Sequence, residues 1–275
     1  ILPAGTYNLS LVGRGEDAGA TGDLDIVRPG LRLTIQGEGL GATVIDGQGL
    51  VDDETSDRVF DILPGAGLAL VNLRVQNGNP GEEDGGGIRN QGALSLVECA
   101  VLGNATGGNG GGVANIGQFA RLEADHSMIG AIGTGGFLDE IGLTDILGLL
   151  MGQRPEEVMA LLEQIGLGDM ASVLVGLLSD LASVRTGDIE LGNRAGGQGG
   201  GLYNAEGAWA SLSVSVLWSN VSTGHGGGIC NETGATMELR TALLEGNQAA
   251  GQASSGGGIA NMLGGMLSAS DTTVM

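Results

Sequence analysis

The sequence contains no lysine: all 11 basic residues are arginine, set against 32 acidic ones for a formal net charge of −21. A surface this acidic repels phosphate backbones and anionic headgroups, so nucleic acid and anionic lipid are disfavoured as partners. Aromatics make up only 3% of the residues, too few for a thick aromatic core. No stretch is long and apolar enough to read as a transmembrane segment. Cysteine is scarce too, and Cys99 and Cys230 occupy non-equivalent places in the repeat described below, which favours free thiols over a disulfide. No signal peptide is visible: the opening "ILPAGTYNLSL" and the closing "SDTTVM" both read as the inside of strands, so the chain is expected to be a fragment or a processed form.

What the sequence has instead is glycine, 56 residues of 275, beside 41% hydrophobic residues, enough to bury a real core. The glycines are not spaced every third residue, which excludes collagen. They gather in a hexad that occurs five times: "GGGIRN" from Gly85, "GGGVAN" from Gly110, "GGGLYN" from Gly199, "GGGICN" from Gly226 and "GGGIAN" from Gly256. The closing asparagines, Asn90, Asn115, Asn204, Asn231 and Asn261, are separated by 25, 89, 27 and 30 residues. A second set, Asn104, Asn193, Asn220 and Asn247, closes the following stretch of each unit. Between the two sets run alternating apolar segments such as "ALSLVECAVLGN", "ASLSVSVLWSN" and "TMELRTALLEGN", the pattern of half-buried strands.

A short period with small strands and glycine corners is the signature of a solenoid. The expected fold is an all-β solenoid, a right-handed single-stranded parallel β-helix. Stacking would align the asparagines into ladders, each amide donating to one neighbouring coil and accepting from the other, while the glycines supply positive φ at the corners. A phosphate cradle is the rival explanation of the glycines, but "GQGGGLYN" lacks the lysine that such a loop needs. Residues 1–84 fit the same scheme with weaker repetition and are expected to add three or four coils, residues 1–30 serving as a cap or first coil. No equivalent cap is expected after Met275.

The interval of 89 needs a separate explanation. The unit that opens at Gly110 reaches its expected close, "GNRAGGQ", only at Gly192. The chain is therefore divided into N-terminal coils (1–130), an insertion at one corner (131–191) and C-terminal coils of the same β-helix (192–275). "LTDILGLLMG", "RPEEVMALLEQIG" and "GDMASVLVGLLSDLASV" place apolar residues at helical spacing, with Thr144 or Asp145, Pro155 and Asp169 as starts and Gly166 as a stop. The insertion is expected to be a small α-helical subdomain packed on the solenoid. Leu174, Leu177, Leu178 and Leu181 give its third helix more apolar surface than three short helices readily bury, making it a candidate contact for a partner, for a second copy or as a lid.

Residues able to carry chemistry are few. Acidic clusters stand at Asp23 and Asp25, at Asp52, Asp53 and Glu54, and at Glu82, Glu83 and Asp84. Paired carboxylates suit general acid–base work on a sugar or calcium ligation, but loop charges are ordinarily solvated surface, and that is the expectation here. No cofactor is expected, with calcium the one metal these oxygens could take. His126 and His225 lack the companions of a zinc site, and His126 next to Asp125 in a strand should point to the opposite face. Four glycosylation patterns start at Asn8, Asn104, Asn220 and Asn231, the last three at ladder positions that should point inward. Tyr203, Trp209 and Trp218 fall in one unit and could form a sugar-stacking platform or pack in the core.

The runs "LPAGTYNLSL", "EDAGATGDLDI", "LTIQGEGLGATVIDG" and "RVFDI", with the repeats ending in "GN", resemble the parallel β-helix proteins of the pectin-lyase-like superfamily. More narrowly they resemble bacterial surface proteins that begin with a CSLREA motif and share repeats with polymorphic outer-membrane proteins, although the motif itself is not in this sequence. The resemblance covers nearly all of the chain except the insertion. It implies export to the cell surface or beyond and a structural or adhesive role, with self or another surface protein as partner and polysaccharide as the alternative ligand. Polysaccharide lyases of the superfamily use basic residues beside calcium-ligating aspartates. No arginine cluster on neighbouring strands is legible here, so no catalytic residue is assigned.

Overall fold

The structure, a computed structural model, describes residues 1–11, 13–15, 17, 19–48, 56–131 and 192–275. β1 (Gly5–Asn8) precedes the first full coil, which contains β2 (Leu24–Ile26), β3 (Arg32–Gln36) and β4 (Thr43–Asp46); the second contains β5 (Phe60–Ile62), β6 (Gly67–Val71) and β7 (Arg74–Gln76). From there the coils gain a short fourth strand. The third has β8 (Ile88–Asn90), β9 (Ala93–Val97), β10 (Ala100–Leu102) and β11 (Ala105–Thr106); the fourth has β12 (Val113–Asn115), β13 (Arg121–Asp125), β14 (Met128–Gly130) and β15 (Arg194–Ala195). The fifth runs through β16 (Leu202–Asn204), β17 (Trp209–Ser213), β18 (Val216–Trp218) and β19 (Val221–Ser222), and the sixth through β20 (Ile229–Asn231), β21 (Thr236–Arg240), β22 (Leu243–Glu245) and β23 (Gln248–Ala249). β24 (Ile259–Asn261), β25 (Met266–Ser270) and β26 (Thr273–Val274) complete the described residues.

Equivalent strands of successive coils pair in parallel to form sheet I (β2-β5-β8-β12-β16-β20-β24), sheet II (β3-β6-β9-β13-β17-β21-β25), sheet III (β1-β4-β7-β10-β14-β18-β22-β26) and the narrow sheet IV (β11-β15-β19-β23). This is a parallel β-helix, as the repeat predicts. Inside it, apolar residues stack on one another: Leu70, Leu96, Ala124 and Leu212 occupy consecutive places in one inward row of sheet II and are buried.

Both asparagine sets form ladders. Asn90 donates from Nδ2 to Asn115 Oδ1 at 2.7 Å, Asn115 to Asn204 at 2.8 Å, Asn204 to Asn231 at 2.8 Å and Asn231 to Asn261 at 2.7 Å. In the second set, Asn104 donates to Asn193 at 3.1 Å, Asn193 to Asn220 at 3.0 Å and Asn220 to Asn247 at 2.9 Å. The amides also hold backbone carbonyls, as Asn115 holds Trp209 O at 3.0 Å and Asn193 holds Val101 O at 2.9 Å, so a buried side chain satisfies groups at a corner that no sheet can reach. The hexad glycines are needed for closeness as well as for φ. Gly110 sits at φ 69°, and a Cβ on Gly111 would lie 2.5 Å from the Arg194 carbonyl on β15.

Two expectations change. Each alternating segment is two strands, not one: a single left-handed residue, Glu98, Val214 or Thr241, turns the chain from sheet II into sheet III. The described strands of residues 1–84 make two full coils after β1 instead of three or four, because "LALVNLRVQNGN" is divided between β6 and β7 of one coil. Asn104 and Asn193 are neighbours in a ladder, so the interval of 89 is a single coil step with residues 132–191 interposed. The expected helical insertion, with Leu174, Leu177, Leu178 and Leu181, lies outside the described residues, as do Asp52, Asp53 and Glu54. Among the described residues no helix is long and apolar enough to cross a membrane.

Candidate functional site

Strand alternation sets the middle residue of each sheet I strand facing outward, and pairing then stacks these residues along the axis. Asp25, Asp61 and Arg89 occupy consecutive places in that row, on β2, β5 and β8. Around them the first three coils assemble six carboxylates and two guanidiniums. Arg58, two residues ahead of β5, is 2% exposed, and its Nη1 lies 3.2 Å from Asp23, 3.5 Å from Asp57 and 3.7 Å from Asp61, while its Nη2 reaches Glu83 at 2.5 Å. Arg89 grips Asp61 through Nε and Nη2 and lies 3.4 Å from Glu83 and 3.7 Å from Asp17.

The expectation of solvated loop charge is therefore overturned at Asp23, which is 4% exposed, and the network also gathers Arg58, ahead of β5, and Arg89, on β8. Glu83 joins the network. Asp84 instead accepts from Asn109 N at 2.7 Å to hold the next corner, and Glu82 is exposed. Arg58, Asp57, Asp61, Arg89 and Asp17 were missed. The signal that could have found Arg89 is its hexad slot, the variable residue between the aliphatic and the asparagine, which faces out.

With six acids around two bases, the carboxylates cannot all ionise freely. Burial pushes the Asp23 carboxyl up to about 8, the charges of Asp57 and Asp25 adding to that and Arg58 opposing it. Burial also raises Asp57 against the pull of Arg58. Asp23 thus holds a proton at neutral pH and Asp61 serves as the bidentate partner of Arg89. Asp17, Asp25 and Asp61 place one oxygen each within 4.8 Å of one another, a set that could hold a cation. Hard oxygen ligands suit calcium, but Arg89 already engages both oxygens of Asp61, so a metal ion would have to displace that guanidinium. The same network pins the segment leading into β2: Arg14 donates to Ser56 O at 2.9 Å, Gly15 N to Asp57 at 3.3 Å and Gly19 N to Asp25 at 2.7 Å.

The other candidates separate. His126 does meet Asp125, at 3.0 Å, because it is a left-handed corner residue (φ 48°) and not part of the strand, so alternation does not apply to it. His225 Nδ1 lies 3.0 Å from Ser255 Oγ on the far coils. Tyr203, Trp209 and Trp218 fall on sheets I, II and III and make no common platform; Trp218 is buried, and Arg121 lies 5.7 Å over the Trp209 ring. Cys99 and Cys230 are free and buried. Asn104, Asn220 and Asn231 are buried ladder residues, closed to a glycan.

Searches of family models, of curated proteins and of solved structures find no match to this chain.

Proposed function

We propose that the chain is an extracellular or cell-surface β-helix with a structural and adhesive role, the reading implied by its resemblance to CSLREA-type and polymorphic outer-membrane-protein-like surface repeats. The observation that supports it is the pair of buried asparagine ladders joining coil to coil. A stack tied along its axis at two corners is a stiff rod with long lateral faces, the form in which solenoids present extended contact surfaces. Self-association through Leu174, Leu177, Leu178 and Leu181 belongs to this proposal. Light scattering of the chain beside one with residues 137–184 replaced by a Gly/Ser linker tests it: assembly that the replacement abolishes supports self-contact, and two monomers exclude it. For adhesion, beads coated with the folded chain are retained under flow on immobilised bacterial envelopes and extracellular polysaccharide. Retention no better than with the heat-denatured chain contradicts the role.

A second reading, cleavage of polysaccharide at the Asp25–Asp61–Arg89 row, is favoured by the proton that Asp23 holds beside neighbouring carboxylates. Against it, Asp23 and Arg58 are sealed from solvent and Asp61 is clamped by Arg89. Release of reducing ends or unsaturated products from a polysaccharide panel, lost in Asp61→Asn, would establish it in place of the first.

A further inference from the structure

Sheet III is largely apolar on both of its faces. Val75, Val101, Ile129 and Leu217 point into the core inside the coils. Alternation turns their neighbours outward, and pairing stacks these as Val44, Arg74, Ala100, Met128, Val216 and Leu243, of which none is more than 6% exposed. The strands read accordingly as continuous apolar runs, "AVL" in β10 and "VLW" in β18, the pattern of a sheet covered on both sides. Sheet II has the same construction and the opposite outcome: Ser95, Glu123, Ser211 and Glu238 in its outer row are half-exposed or exposed. Stacking alone therefore does not seal an outer face. No described strand packs across sheet III, yet its outer row is sealed, and Arg74, Trp218 and Glu245 on that face are each engaged by a partner.

From this we infer that the outer face of sheet III is the seat on which residues 132–191 of the same chain dock. The segment leaves and rejoins the solenoid at that sheet. Ala131 N donates to Trp218 O at 2.9 Å directly after β14, and on the return Asn193 holds Val101 O of β10 at 2.9 Å. About sixty residues thus begin and end beside the sealed face, and their sequence supplies what the face needs: apolar residues at helical spacing in 143–152, 154–166 and 168–184. A second copy is not required for the burial, because the face is sealed within one chain. Docking keeps from water an apolar stripe that the rungs would otherwise present along the rod. It also accounts for an interruption between two ladder asparagines that leaves the ladder whole, since the inserted residues are held by the sheet they depart from. The inference goes beyond the adhesive reading and does not depend on it.

The test is hydrogen exchange of the whole chain, read on peptides from 132–191 and from the sheets. Val216→Asp and Leu243→Asp place a charge on the outer face of sheet III, and Ser211→Asp places one on the outer face of sheet II. In the parent chain, amides of 132–191 are expected to be protected. Each sheet III substitution should speed their exchange about tenfold or more while β12 and β16 keep their protection, and Ser211→Asp should change neither. Unprotected exchange of 132–191 in the parent, protection untouched by both sheet III substitutions, or an equal loss with Ser211→Asp overturns the inference. Where a charged variant does not fold, the parent chain grown with photo-methionine, close to methionine in shape, gives a second reading. Met128, in the sealed row, is expected to cross-link to 132–191 of its own chain in a monomer. Cross-links from Met128 to a second copy, or none to 132–191, overturn it. The adhesive reading falls separately, on the retention of coated beads.

Discussion

Asn104 and Asn193 are 89 residues apart in sequence and one rung apart in the solenoid, Nδ2 of the first donating to Oδ1 of the second at 3.1 Å. Asn193 passes the ladder on to Asn220 at 3.0 Å and holds Val101 O at 2.9 Å. The coil therefore closes on itself whatever lies between β14 and β15, because the ladder and the sheets on either side specify the register together.

Asn115→Ala removes the donor to Asn204 and to Trp209 O and the acceptor of Asn90, stranding buried polar groups in the coils on either side. The expected cost is about 2–4 kcal/mol, built from lost hydrogen bonds and unsatisfied partners. Asn261→Ala, at an exposed ladder position, should cost much less. Urea unfolding of both variants measures the difference.

Replacing Arg58 with Ala leaves Asp23, Asp57 and Asp61 buried without their shared cation. Removing one partner of a buried ion pair costs about 3–5 kcal/mol. Because the loss is electrostatic, acidification that neutralises the carboxylates should recover part of it, whereas a simple packing defect would persist at every pH. Melting temperatures across pH separate the two.

Asp23 makes the opposite contribution to stability. Its carboxyl is raised from 3.8 to about 8, so between these values the folded chain holds a proton that the unfolded chain has lost. Stability attributable to Asp23 is accordingly full below the unfolded value and declines as pH rises towards 8. Asp23→Asn should flatten that decline and melt higher than the parent at pH 9, with the two converging in acid. A constant offset at all pH values would show that Asp23 is ionised in the fold.

Val214 is a β-branched residue at φ 44°, at the corner where Asn72 stands in an earlier coil. L-residues lose about 1–2 kcal/mol in this region and asparagine tolerates it best after glycine. Val214→Asn should therefore raise the melting temperature, and a fall would mean that the valine's packing outweighs its strain.

How much of this the sequence reveals depends on repetition. From Gly85 on, five hexads give the register, and with it both ladders and the sheets follow. The Asp/Arg network draws on coils that precede the first hexad. Asp23, Asp61 and Arg89 come together only after "LDI", "FDI" and "IRN" are aligned as rungs, and nothing in those short stretches announces their pairing. Corners hid a second feature. A lone left-handed residue such as His126 leaves no glycine in the text, so Asp125 and His126 look like strand neighbours and are in fact a contact pair.

The thiols provide a further check. Burial pushes Cys99 up to about 11 and Cys230 to about 12, so neither is a thiolate near neutrality. Both should resist a disulfide reagent in the folded chain and react together on unfolding; rapid labelling of either in the native state would place it at the surface.

The most direct test of the account is a pair of cross-links on the outer face of sheet II. Glu123 and Ser211 face each other on adjacent rungs, about 4.8 Å apart by strand spacing and within disulfide reach, although residues 132–191 separate them in the chain. Glu123→Cys with Ser211→Cys should form a disulfide in the native state, while Glu123→Cys with Glu238→Cys, two rungs and about 10 Å apart, should not. Cross-linking of the second pair in preference to the first, or of neither, would contradict a solenoid that closes across the interruption.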